Sequence, residues 1–162
     1  MISNIFKNIF FSLFCLFYFE GLAHGVFSLD SDLYRQRVYD HAEFGILDEN
    51  GENYIFKETN HIPNKVGITY GWNIHLTTHK EVVTWKEEFI LPSPAVEWAD
   101  INKNEVTVDN NKKAAITKRT VIPENGWINN YWSISKGDPS GKYMMKIYID
   151  DSLVKTFVFF IE

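Results

Sequence analysis

The sequence predicts an all-β domain, a sandwich of two antiparallel sheets with about eight or nine short strands following an N-terminal secretory signal. A small β-barrel is the alternative way to close the same strands. Three observations point to this class. Apolar residues recur with period two from residue 43 onward. Clusters of Asn, Asp, Gly and Pro interrupt that pattern at roughly ten-residue spacing. Aromatic residues make up 16% of the chain, which favours pleated, half-buried surfaces over helices. No helical periodicity of useful length follows residue 43, which argues against α/β and α+β classes.

The N-terminus reads as a cleaved signal. Lys7 supplies the positive region, and the run Ile9–Phe19 is apolar but too short for a stable membrane span. Gly21-Leu22-Ala23 then places small residues where a signal peptidase reads them. Residues 1–23 are therefore expected to be a signal peptide, with cleavage after Gly25 as the alternative to Ala23. The protein is expected to be exported, periplasmic or extracellular, with no transmembrane segment in the mature chain. Cys15, the only cysteine, falls in that signal, so the mature chain has no disulfide, thiol nucleophile or thiolate metal site.

Residues 24–42 show no period-two pattern and are expected to be irregular or weakly helical, leaving 43–162 as the sandwich domain. Glu43–Leu47 and Asn53–Glu58 flank an Asn50-Gly51 turn signal. Ile68, Tyr70, Trp72, Ile74 and Leu76 alternate with polar residues and mark the strongest strand. Val83, Trp85, Phe89 and Leu91 mark another, interrupted by Glu87 and stopped by Pro92 and Pro94. Glu105–Val108 and Ala114–Val121 flank an Asp109-Asn110-Asn111 turn. Gly126–Ser135 reads as a strand, and Gly137–Gly141 as a turn. Lys142–Ile149 and Leu153–Ile161 form a closing hairpin. Its second arm is apolar on both faces, the mark of a central or well-covered strand.

Three segments resemble the bacterial family numbered 3859 in the domain-of-unknown-function series: Glu43–Ile46, Thr59–Gly71, and the closing hairpin from Gly141 to Phe157. Tyr143 stands where that family has tryptophan, and Asp150-Asp151-Ser152 lacks its turn glycine. The resemblance implies an immunoglobulin-like β-sandwich, exported or envelope-associated, with no assigned activity and no catalytic residues to carry over.

Composition narrows the function. A formal net charge of -5 with no Lys/Arg cluster disfavours nucleic acid as a partner. Glu87-Glu88 and Asp150-Asp151 are adjacent acids, and neighbours on a strand face opposite ways, so neither pair forms an acid–base couple. No nucleophile elbow, zinc-protease helix, phosphate loop or calcium loop occurs. The chain is expected to be non-catalytic and without a cofactor, a binding or structural module of the cell envelope or secretome. The candidate binding residues are Trp127, Asn129 and Tyr131. Even positions Ile128, Trp132 and Ile134 look core-facing, so the odd ones present two aromatics among amides, which suits a protein or a glycan partner. A metal-handling alternative rests on His24. Cleavage after Ala23 would make it N-terminal, able to chelate copper through its amine and ring, with His41, His61, His75 or His79 as a second ligand.

Overall fold

The computed structural model describes residues 38–50, 53–98 and 102–162. Ten strands form among them, one or two more than the pattern counts. The first hairpin joins β1 (Tyr39–Asn50) to β2 (Asn53–Glu58), with Asn50 opposite Asn53. The ladder therefore runs further into the expected turn than the alternation suggests. The same strand starts at Tyr39, inside the stretch expected to be irregular. Its first residues pair with the end of β4 (Thr69–Leu76), Tyr39 with Leu76 and Ala42 with Ile74. A register shift between Tyr39 and His41 breaks the period-two signal there.

The remaining strands are β3 (His61–Ile62), β5 (Val83–Ile90), β6 (Val106–Val108), β7 (Ala114–Val121), β8 (Trp127–Ser133), β9 (Gly141–Ile149) and β10 (Ser152–Ile161). They assemble as two open sheets, so the barrel alternative fails. One sheet has the order β2-β1-β4-β8 and the other β3-β10-β9-β5-β7-β6. All pairings are antiparallel except β3 with β10. No helix among the described residues is long and apolar enough to cross a membrane.

The parity read from the sequence carries into the core. Tyr70, Trp72, Ile74 and Leu76 point inward from β4, and Tyr143, Met145, Ile147 and Ile149 from β9. Phe44 of β1 stacks on Phe159 of β10 at 4.4 Å between centroids, and Trp72 meets Trp85 of β5 edge-on at 5.3 Å. β10 departs from simple alternation. A register shift between Leu153 and Lys155 makes Val154 an extra residue, so Val154 joins Phe157, Phe159 and Ile161 in the core while Val158 stays exposed. β10 is also not central, since only the two-residue β3 lies beyond it.

The sheets differ in width. β1 lies over β10, and β4 and β8 lie over β5, as the pairs Phe44–Phe159, Trp72–Trp85 and Trp132–Phe89 record. β7 and β6 continue the larger sheet past β5, beyond the end of the smaller one. A cavity of about 370 Å³ occupies the step between β8 and the inner side of β7 and β6.

Candidate binding face

The three sequence-predicted binding residues all lie on the outer side of β8, the edge strand of the four-stranded sheet. A tight turn aims the first of them. Asn125 and Gly126 both have positive φ, 50° and 85°, and Glu124 and Trp127 exchange backbone hydrogen bonds of 3.0 and 2.9 Å across them. Glycine suits the second position, where φ is positive and a Cβ would lie 2.8 Å from His75 Nε2. The Asn-Gly dipeptide was there to be read in the sequence as the signal for this turn.

Registration across β1, β4 and β8 builds the face row by row. His41, His75 and Trp127 form the first row, and Glu43, Asn73 and Asn129 the second. Trp127 is 36% exposed and packs against two imidazoles of the neighbouring strands, His75 at 5.0 Å and His41 at 5.6 Å between centroids. His75 Nδ1 lies 2.7 Å from Asp40 Oδ1, and this hydrogen bond holds the Asp40 carboxyl below its ordinary pKa. In the next row Tyr131 lies beside Gly71, whose missing side chain leaves room for the ring. Its hydroxyl donates to Asn73 Oδ1, and Asn73 Nδ2 donates to Glu43 Oε1 at 2.8 Å. Partial burial raises the Tyr131 phenol above its usual pKa, so it stays a neutral donor. Trp127 and Tyr131 are thus held by separate partners on one face, with the exposed Asn129 between them along the strand.

The inner side of β8 holds a second constellation that alternation alone does not reveal. Glu87 occupies an inward slot of β5 and is fully buried. Trp72 Nε1 donates to its Oε2 at 2.5 Å, and Trp132 Nε1 and Asn130 Nδ2 donate to its Oε1 at 2.7 and 3.2 Å. Burial raises the carboxyl pKa in spite of these donors. Glu88 points outward to Lys86 and Tyr148, which bears out the opposed facing of that acidic pair. Asp150-Asp151 forms the tight turn between β9 and β10, both residues at positive φ. The sequence hint for Glu87 was a carboxylate at a core-facing position of an otherwise apolar alternation.

The histidines scatter except for one pair. His41 and His75 sit opposite each other on the outer face. His61 lies on β3, 2.7 Å from Glu162 and stacked on Phe160. His79 lies between β4 and β5. His24, like the whole expected signal, falls outside the described residues. Among the described residues, no group of three or more His, Cys, Asp or Glu side chains is placed to hold a metal ion.

Residues 42–162 match the family model described as the PM0630 beta sandwich domain. No curated protein matches the sequence. An immunoglobulin-like protein of Pseudomonas aeruginosa, PA1606, superposes with a TM-score of 0.51 at 15% identity, covering 78% of this chain and 95% of that one. The human F-spondin reeler domain superposes with a TM-score of 0.36 at 13% identity, over 78% of this chain and 92% of that one. The likeness to PA1606 is one of fold.

Proposed function

The chain belongs to the PM0630 beta sandwich domain family, and from that premise we propose that it is an exported, non-catalytic module that binds a protein partner through the outer face of its four-stranded sheet. The observation that carries this reading is the prior immobilisation of the two aromatics. Trp127 packs against His41 and His75, and Tyr131 is tied to Asn73. Binding therefore orders little that is not already ordered, which favours such residues as interface anchors.

The edge beside these anchors supports the same reading. Residues 127–133 of β8 contain no Lys, Arg, Asp, Glu or Pro, the residues that usually guard an exposed strand edge. The opposite edge strand, β2, carries Lys57 and Glu58. The three segments similar to family 3859 fall on β1, on β3 through β4, and on the β9–β10 hairpin. Export rests on the expected signal at residues 1–23, and the resemblance to family 3859 implies it as well.

The test is site-specific photo-crosslinking in a bacterial host that exports the protein. A photoreactive residue at Asn129 is expected to give a discrete protein adduct that disappears when Trp127→Ala is added. A probe at Thr156, on the outer side of the other sheet, is expected to give none. Equal adducts from both positions, or none from Asn129, would remove the face from consideration.

A further inference from the structure

We propose that the cavity between β8 and the β6–β7 edge is a binding site for a neutral carbohydrate of one or two pyranose rings, beside the outer face and sharing Tyr131 with it. Its position follows from the unequal widths of the sheets. Thr117 and Arg119 of β7 and Val106 of β6 line it on one side, and Asn130 and Trp132 of β8 on the other. Its volume of about 370 Å³ lies within the range of small-ligand sites, roughly 300–1,000 Å³.

The buried polar residues identify it as more than a packing defect. Among the described residues these are Glu87, Thr117 and Asn130. All of them converge here. Thr117 and Asn130 line the cavity, and Glu87 pairs with Thr117 across the strands and accepts from the Asn130 amide. Thr117 Oγ1 is buried with no hydrogen-bond partner. A hydroxyl in that state lowers stability, and a valine of the same shape would avoid the cost. A ligand hydroxyl entering the cavity supplies the missing partner.

The aromatic residues define the ligand's body. Trp98 Nε1 donates to Lys112 O at 3.1 Å, Trp132 Nε1 to Glu87, and Tyr143 Oη to Pro139 O at 2.5 Å. Their polar ends are engaged within the protein, so what they offer a ligand is ring surface. Phe89, Trp98 and Trp132 lie 5.1 to 6.0 Å apart between centroids. Rings that close, set edge to face, pack on one another and leave no gap for an ammonium group between them, so the partly buried Trp98 and Trp132 offer ring surface and not a cation cage.

Charge argues for a neutral ligand. The lining carries Glu97, Asp138 and Arg119. Arg119 is paired with Glu105 at 2.8 Å, and Asp138 accepts from the Ser135 amide at 2.8 Å. An anion would face these carboxylates with the one lining cation already paired. A pyranose combines an apolar face for the ring wall with hydroxyls for Thr117 and the mixed polar rim.

The experiment is saturation-transfer NMR on protein purified from an exporting host, with glucose, galactose, N-acetylglucosamine and cellobiose as probes and choline as the cationic control. At least one sugar is expected to bind, and to bind equally well to Trp127→Ala, since Trp127 does not line the cavity. Thr117→Val is expected to weaken that sugar about tenfold, the loss of one hydrogen-bonded hydroxyl, and to raise the thermal midpoint. The paired readout separates a binding role from a packing one. Failure of all four sugars to bind, binding of choline in their place, undiminished sugar binding by Thr117→Val, or a lowered midpoint in that variant would each overturn the proposal.

Discussion

Between β1 and β10 the core is built from rings: Phe44 meets Phe159 and Phe157 at 4.4 and 5.6 Å, and Tyr70 meets Phe159 at 5.5 Å. Between β8 and β5 the same sandwich encloses a carboxylate, an amide and two indole N–H groups, with a cavity alongside. Both flanks pack into the core, yet only the second carries groups whose removal from water is costly. A sandwich whose core served stability alone would carry apolar residues on both flanks. The difference locates the side of the molecule that is shaped by something other than packing.

The largest expected effect breaks that comparison at Glu87. Glu87→Ala leaves the donors of Trp72, Trp132 and Asn130 without an acceptor and opens a cavity, at a cost of about 3–5 kcal/mol in urea unfolding. Phe159→Ala on the ring flank is expected to cost a similar amount, about 3–5 kcal/mol, through the cavity it opens. The two are separated by pH. Burial raises the Glu87 pKa above 4.5 in the folded state. As pH rises past that value the unfolded chain gives up its proton first, so the folded state loses relative stability until pH exceeds the folded pKa, and the loss is then complete. Glu87→Gln is expected to gain on the wild type with rising pH through that window, whereas Phe159→Ala should shift stability by the same amount at every pH. A wild type that gains on Glu87→Gln instead would mean that the three donors outweigh burial.

Gly71 belongs to both sides of the four-stranded sheet and gives the next effect. A Cβ there would lie 2.1 Å from the Asn130 carbonyl oxygen and 2.7 Å from the Tyr131 ring. Gly71→Ala is expected to cost about 1–3 kcal/mol by displacing β8, and to move the outer aromatic and the inner amide together. Urea unfolding followed by tryptophan fluorescence reads both. A neutral result would show that β8 can shift as a unit without cost.

The apolar faces of β4 and β9 were legible in the sequence because they depend on parity along single strands: Tyr70 through Leu76 and Tyr143 through Ile149 alternate without a break. The polar flank was legible only in part. Parity places Glu87 inside, but its donors come from β4 and β8, 15 to 45 residues away, and nothing local names them. The outer face was read from three residues of β8. Its other half, His41 and Glu43 of β1 with Asn73 and His75 of β4, depends on the order of strands in the sheet. Val154 and Tyr39–Ala42 were misplaced for one shared reason, since a register shift changes which face a residue takes and so interrupts the alternation by which a strand is read.

A smaller effect sharpens the contrast between the outer and inner sides of β8. Trp127→Ala removes a partly exposed ring with no role in the core, and is expected to cost about 1 kcal/mol or less in thermal unfolding. It should nonetheless abolish the Asn129 crosslink. A loss comparable to that of Glu87→Ala would place Trp127 among the structural residues and leave the outer face without its anchor.

The smallest effect compares two turns of the same hand. Asn125-Gly126 leads into β8, and Asp150-Asp151 joins β9 to β10, with φ of 48° and 65° at the two aspartates. The left-handed region costs a non-glycine residue roughly 1 kcal/mol, so Asp151→Gly is expected to stabilise the protein, offset by the greater freedom of glycine in the unfolded chain to a net gain of about 0.5 kcal/mol. Gly126→Ala should do the opposite, because its Cβ would strike His75. It should also weaken the Asn129 crosslink, since that turn aims Trp127, whereas Asp151→Gly should leave the crosslink unchanged. If both turns proved equally neutral to crosslinking, the Asn-Gly turn would be a closure like the other, and Trp127 would owe its position to the imidazoles alone.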